Sequence, residues 1–441
     1  MNQKINLLPL FFLLLVDCTD DNTHNNISNG AVQSIITLGG SNNERGESVV
    51  ATLDGGYAIA GYTQSNNGDI SDKVDESFDY WILKFDPDNT IEWDRTFGGS
   101  GNDRAIDIIQ TLDGGYTVLG SSSSNDGDIT ENAGQSDFWL IKLNPLGNLI
   151  WQKTFGFSGS EQGMSLIQTN DQGYLITGVL DVTSSGGEGN TNRDFQKHAG
   201  GDFWAVKADD SGNLEWSRYF GGNFTDTPRG IVQIPDGGYI IAGGSDSSDT
   251  DISNNLGSYD YWVIRISATG DLIWEKSFGG SQIDEANAIV PSNDGNFFVV
   301  GETRSNDIMV RSNKGAADIW LIKISPSGEL IWEKSFGGSS FDSASNISLV
   351  SDGLLISGSS RSADGDVSDN KGQNDVWIMK VNFEGNLQWQ TSVGGSNIDF
   401  GYDLCKLNDG TVVAVGDTNS EDGDIEENNG FTDLIIIELD D

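Results

Sequence analysis

Between Asp103 and Phe155 the chain alternates short apolar runs with polar, glycine-rich breaks. Residues 105–111, 116–122, 138–143 and 149–155 are β-branched or aromatic runs bounded by Gly, Asn, Asp or Pro. This predicts four strands, A to D. Asp113-Gly114 predicts a tight A–B hairpin and Gly147 the C–D turn, because glycine takes positive φ without steric cost. Strand C, Phe-Trp-Leu-Ile-Lys-Leu, is apolar at nearly every position. A strand on a one-faced sheet alternates, so this one is expected to be covered on both faces.

The same unit recurs along almost the whole chain. Phe-Gly-Gly-Ser marks restarts at 97–100, 278–281 and 336–339, with degenerate forms at 38–41, 155–158, 220–223 and 393–396. Small four-stranded sheets stacked face to face in a radial array form a β-propeller. The 12 tryptophans fall at two repeated positions: Trp81, Trp139, Trp204, Trp262, Trp320 and Trp377 in strand C, and Trp93, Trp151, Trp216, Trp274, Trp332 and Trp389 in strand D. Residues used this way pack blade against blade. The seventh copy ends after strand C, and residues 31–38 (AVQSIITL) supply the missing strand D from the other end of the chain. The expectation is an all-β, seven-bladed propeller over residues 31–441, closed by its N-terminal strand so that no edge stays open.

The motif D-G-G-Y, then D-[YF]-W-[LIV]-[IL]-K, then G-[ND]-L-[IE]-W-x-K-x-F-G-G-S resembles the repeat of bacterial secreted and lipid-anchored propeller proteins, many of them from Bacteroidota. Its Gly-x-Leu-x-Trp element is also similar to the repeat of quinoprotein propellers. The resemblance implies the fold and assigns no reaction.

Ahead of the repeats, residues 1–17 read as a signal peptide, with Lys4 before an apolar core at 7–16. Leu15-Val16-Asp17-Cys18 resembles a lipobox, which implies cleavage before Cys18 and acylation of its sulfur. Asp17 departs from the usual small residue. The simpler reading is a secretory signal with an incidental cysteine. Residues 18–30 then form a polar tether, and the expected address is an outer-membrane lipoprotein, surface-exposed, or otherwise a secreted or periplasmic protein. Cys405, in the last strand A, reads as a small buried hydrophobe, which leaves no disulfide framework.

Charge and composition narrow the partners. A net charge of −43, from 67 acidic and 24 basic residues, makes nucleic acid and bare anionic lipid poor partners, so the membrane is met only through the anchor. With only His24 and His198, a Ser-His-Asp triad and an imidazole zinc site are nearly excluded. No phosphate-binding glycine loop or CxxC pair is present.

The D–A and B–C loops share one face, and the long, variable B–C loops make it the expected working face. One acid per blade opens the D–A side: Glu44, Asp103, Glu161, Asp226, Asp284, Asp342 and Asp399. These read either as a ring of carboxylates at the channel mouth or as loop caps, and sevenfold repetition favours caps. The B–C loops carry Gly-Asp-Ile or a variant at Asp69, Asp128, Asp251, Asp307, Asp366 and Asp424, followed by a strand-opening aspartate: Asp79, Asp137, Asp260, Asp318, Asp375 and Asp433. Paired within a loop, such aspartates are candidate calcium ligands, the alternative being Asx-turns. Blade three lacks the element and instead brings Arg193, Lys197 and His198. With Phe224, Arg229, Phe341, Phe400 and Tyr402 near the mouth, these non-repeating residues are the ligand-contact candidates. The reading is a monomeric, non-catalytic binding or scaffolding propeller for a glycan or envelope protein. The alternative is a glycoside hydrolase or lyase using two carboxylates. A quinoprotein reading finds no cofactor pocket, and no residue is assigned a catalytic role.

Overall fold

The computed structural model describes residues 30–191 and 200–441. Seven four-stranded antiparallel sheets follow one another in strand order A-B-C-D. In the blade that contains Asp103, the strands are Asp103–Gln110, Tyr116–Ser122, Asp137–Leu143 and Leu149–Phe155. Strand A begins two residues earlier than its apolar run, because Asp103 is itself buried and paired with Ser122. One short helix, Val182–Ser185, interrupts the B–C loop of blade three. Among the described residues no helix is long and apolar enough to cross a membrane. Cys18, Arg193, Lys197 and His198 lie outside the described residues.

The last blade is assembled from both ends of the chain. Asp399–Lys406, Val412–Thr418 and Asp433–Leu439 are joined by Val32–Leu38, with Val32 opposite Leu439 and Leu38 opposite Leu434. Gly30 continues the seam. Its N–H donates to Asp440 O at 2.8 Å, and a Cβ there would stand 2.6 Å from the Trp389 ring. The same contact is made in the repeats by the C–D turn glycine, as between Gly147 (φ +76°) and Trp93. A strand-D tryptophan therefore lies flat against the next blade's turn, and only glycine leaves room for it.

Strand C is the buried centre of each sheet: all seven residues of Asp137–Leu143 are buried. Its tryptophans Trp81, Trp139, Trp262, Trp320 and Trp377 are at most 1% exposed. Aromatic neighbours lock them across blades, as where Tyr80 Oη donates to Trp139 O at 2.9 Å. Truncating one such side chain to alanine costs about 3–5 kcal/mol. The motif lysine is buried too, and reaches the A–B turn of its own blade: Lys84 pairs with Asp54 at 3.0 Å, Lys142 with Asp113 at 2.8 Å. Cys405 is buried and unpaired, and desolvation pushes its thiol up. Strand A lines the central channel in all seven blades.

Candidate functional site

The seven D–A acids do not form a mouth. Glu44, Asp103, Glu161, Asp226, Asp284, Asp342 and Asp399 are all 0% exposed. Asp103 accepts from Gly99 N at 2.9 Å, Ser124 Oγ at 2.7 Å and Ser122 Oγ. Glu44 likewise accepts from Gly40 N at 2.7 Å and Thr63 Oγ1 at 2.8 Å. In five blades the carboxylate ties the start of strand A to the D–A loop and to the last residue of strand B; Glu161 and Asp226 accept from the D–A loop, and Asp226 also from Ser247 in the B–C loop.

The B–C aspartates do not pair within their loops. Asp69, Asp128, Asp251, Asp366 and Asp424 each accept from the first glycine of the preceding Gly-Gly step, at 2.9–3.2 Å. The strand-opening aspartates accept from the residue four positions earlier: Asp137 from Ala133, Asp318 from Lys314, Asp375 from Lys371 and Asp433 from Asn429 at 2.7–2.8 Å, and Asp260 from Leu256. Asp79 instead meets Lys73 Nζ at 3.1 Å. The two aspartates of one loop belong to different blade junctions. Asp79, Asp103 and Asp128 converge around Gly98, where a methyl group would lie 2.5 Å from Asp79 and 2.9 Å from Asp103. Asp307 falls outside the series: it accepts from Ser281 N, and Met309 occupies the Asp128 position. Among the described residues no group of three or more His, Cys, Asp or Glu is arranged to hold a metal ion. These acids share a protonation feature. Burial pushes Asp79, Asp260, Asp318, Asp375 and Asp433 up to about 6, and for Asp433 the neighbouring Glu44 and Asp69 add to the rise.

One irregularity sends a residue from every blade into the channel. In every blade the register of strand A against strand B shifts by one residue just after the buried acid, for example between Ala105 and Asp107. A bulge re-aims the extra side chain. Those extra residues are Glu47, Ile106, Met164, Arg229, Asn287, Ser345 and Tyr402. All seven line the channel, a cavity of about 460 Å³. No two are alike. Arg229 and Tyr402 were among the sequence candidates; the other five were not.

Further into the channel, two carboxylates bind blades together. Asp107 accepts from Leu166 N at 2.7 Å in the next blade, and Asp403 from Val49 N at 2.8 Å across the seam. Ser48 Oγ lies 3.3 Å from Asp107 and donates to Asp403 at 2.9 Å. Burial raises them to about 7 and about 6. Both acids are committed to backbone donors of a neighbouring blade, which is a structural use of the pair.

At the D–A end the channel opens onto a ladder of alternating rings and guanidiniums. Arg45 stands 4.5 Å over Tyr402 and 5.7 Å over Tyr62, while Arg104 stands 5.3 Å over Tyr62 and 4.2 Å over Phe78. Tyr62 and Phe78 meet edge to face at 5.4 Å. Such stacking is attractive and fixes the planes relative to one another. Arg45 is also held by Asp417 at 3.1 Å and Glu47 at 3.3 Å. Burial raises the carboxyls of Glu47 and Asp417 even so, and lifts Tyr62 to about 12. Of the remaining sequence candidates, Phe341 lies 5.5 Å beneath Arg304, Phe400 is 6.3 Å from Tyr402, and Phe224 is 57% exposed on its own turn. Arg45, Tyr62, Phe78 and Arg104 were missed. The available signal was non-repetition at the positions directly after the D–A acid, near the end of strand B and just before strand C.

No family model matches the chain. A 208-residue stretch is 24% identical to the regulatory protein FlaEY of Caulobacter vibrioides, covering 45% of this chain and 22% of that protein. The structure is similar to the WD40 β-propeller domain of Doa1, with a TM-score of 0.52 and 11% identity, over 93% of this chain and 97% of that domain. A putative 6-phosphogluconolactonase of Bacteroides fragilis aligns with a TM-score of 0.41 and 11% identity, over 79% and 82% of the two chains. The Doa1 likeness shows the propeller fold alone.

Proposed function

We propose that this chain is a non-catalytic binding propeller that takes a saccharide ligand across the D–A mouth, held at the cell surface by a lipid on Cys18. The observation that carries the reading is the ladder Phe78–Arg104–Tyr62–Arg45–Tyr402. It sets half-buried aromatic rings against guanidinium planes at a channel mouth, in a region where blades otherwise repeat. Pre-stacked groups lose little freedom on binding. The carboxylate pair Asp107 and Asp403, which would serve a hydrolase, is taken up by backbone donors. The test is a glycan-array screen of the full chain in detergent, alongside Tyr62→Ala and Leu112→Ser. Leu112 is an exposed residue on an A–B turn, at the opposite end of the blade. Intact glycan retained by the wild type and Leu112→Ser, and lost by Tyr62→Ala, supports the reading. Retention by Tyr62→Ala, or release of cleaved sugar, overturns it.

A further inference from the structure

Beside the ladder, between blades two and three, runs a second cleft of about 340 Å³. That is within the size range of ligand clefts, about 300–1,000 Å³. Its polar lining is hydroxyls and amides: Ser121, Ser123, Ser136, Ser160, Asn102 and Gln162, with Arg104 at its head. Among the described residues it contains no carboxylate. In a chain of net charge −43 this is a local exception, and the channel and the other two described clefts are each lined by several acids. Arg104 is exposed. The ion pairs of this face include Arg45 with Asp417 and Glu47, Arg304 with Glu302, and the loop lysines Lys73, Lys314 and Lys371 with aspartates; among the described residues Arg104 pairs with no carboxylate. Its plane is instead fixed against Phe78 and Tyr62. Ile106 and Met164 line both this cleft and the channel, and Arg229 Nη1 touches Met164 Sδ at 3.7 Å from the channel side. Arg229 is exposed as well.

We infer that this cleft is the subsite for an acidic sugar, a uronate whose carboxylate is taken by Arg104 and whose ring hydroxyls meet the serine and amide lining. The inference rests on the saccharide reading of the mouth. A guanidinium with its plane fixed and its donors uncommitted accepts a carboxylate in bidentate fashion. The surrounding negative charge does not forbid this, since exposed charges beyond about 8 Å are largely screened at physiological ionic strength. Neutral sugars would leave the guanidinium without its partner.

The probe is tetragalacturonate, compared with its fully methyl-esterified form and with sodium citrate. Titration calorimetry is run on the full chain in detergent. The uronide is expected to bind, with the ester at least tenfold weaker and citrate weaker still for want of ring contacts. Arg104→Gln should weaken the uronide at least tenfold and the ester clearly less, since the ester meets Arg104 only as a stacking plane of the ladder. Arg104→Lys should recover part of the loss, because it keeps charge without the planar fork. Leu112→Ser should bind as the wild type does. Equal binding of acid and ester, citrate binding as tightly as the uronide, or an Arg104→Gln protein that binds the acid normally overturns the inference. Failure of the two readings is separable: a neutral glycan that binds and is lost with Tyr62→Ala keeps the mouth and removes the uronate.

Discussion

Counted from the D–A acid at the head of each strand A, the first and fourth residues obey opposite rules. The first is always an acid, always fully buried, and always spent on the loops of its own junction. The fourth is the bulge residue, aimed into the channel, and is glutamate, isoleucine, methionine, arginine, asparagine, serine or tyrosine according to the blade. One turn of chain thus holds a position the fold dictates beside a position the fold leaves free. The contrast teaches how to read a repeat protein: identity across copies reports packing, and divergence at a position with a fixed, solvent-facing geometry reports what the copies have been left free to do. The buried acids looked functional because they are charged. Their uniformity was the better guide.

The largest effect should come from breaking the framework where it closes. Full chain lacking residues 30–38 loses the strand paired with Asp433–Leu439 and the Gly30 contact on Trp389. The last blade then presents an open edge of unpaired backbone groups. Its melting temperature should fall by roughly 10 °C or more, with association at micromolar concentration, read by calorimetry and light scattering. A monomer melting within about 2 °C of the intact chain would show that the seam does not carry the ring.

The framework was legible because its signals are local and sevenfold. Tryptophan spacing, Asp-Gly turns and the missing last strand were enough to count blades and find the closure. The working residues were not legible for two physical reasons. The bulge shifts side-chain alternation by one residue, and period-two reasoning along 105–111 gives no sign of it. The ladder joins residues distant in sequence, such as Arg45, Tyr402 and Asp417, which meet only once the ring has closed. The loop aspartates misled for a related reason: Asp128 and Asp137 are close in sequence, yet each serves a different junction.

A smaller effect tests what the two regions share. Both hold acids that burial raises: Glu161 and Asp226 to about 7 in the framework, Asp107 to about 7 and Asp403 to about 6 in the channel, and the strand-opening aspartates to about 6. A carboxyl whose folded value lies above its unfolded value of about 4 binds its proton more tightly in the native state. Stability from these groups is therefore complete below pH 4 and lost as pH rises through 6 to 7. Acids of the opposite kind lose their contribution only at lower pH: Asp113, which burial raises but the bond from Lys142 draws down to about 2, and Asp294, drawn down by Lys323. The melting temperature should peak near pH 4 and decline toward pH 8. The double change Asp107→Asn and Asp403→Asn should flatten part of that slope and leave the framework's share. A melting temperature that climbs from pH 5 to pH 8 would contradict the burial of these carboxyls.

The finest test sets the two positions against each other within one strand. Asp103→Ala leaves Gly99 N–H, Ser122 Oγ and Ser124 Oγ without their acceptor in a fully buried site. An unsatisfied buried group costs about 1–3 kcal/mol, and relaxation of the two hydroxyls recovers some of that, so a loss of about 3 kcal/mol is expected. Ile106→Ala, three residues on, removes a half-buried side chain from the channel wall, where water fills the space and no neighbour loses a bond. Its cost should stay below about 1 kcal/mol. Urea unfolding reads both on one scale, and an unchanged m-value assigns the difference to the native state. The ratio matters more than either value. If Ile106→Ala costs as much as Asp103→Ala, the bulge residues are part of the framework, and their divergence between blades reflects packing around an uneven channel instead of a surface left open for a ligand.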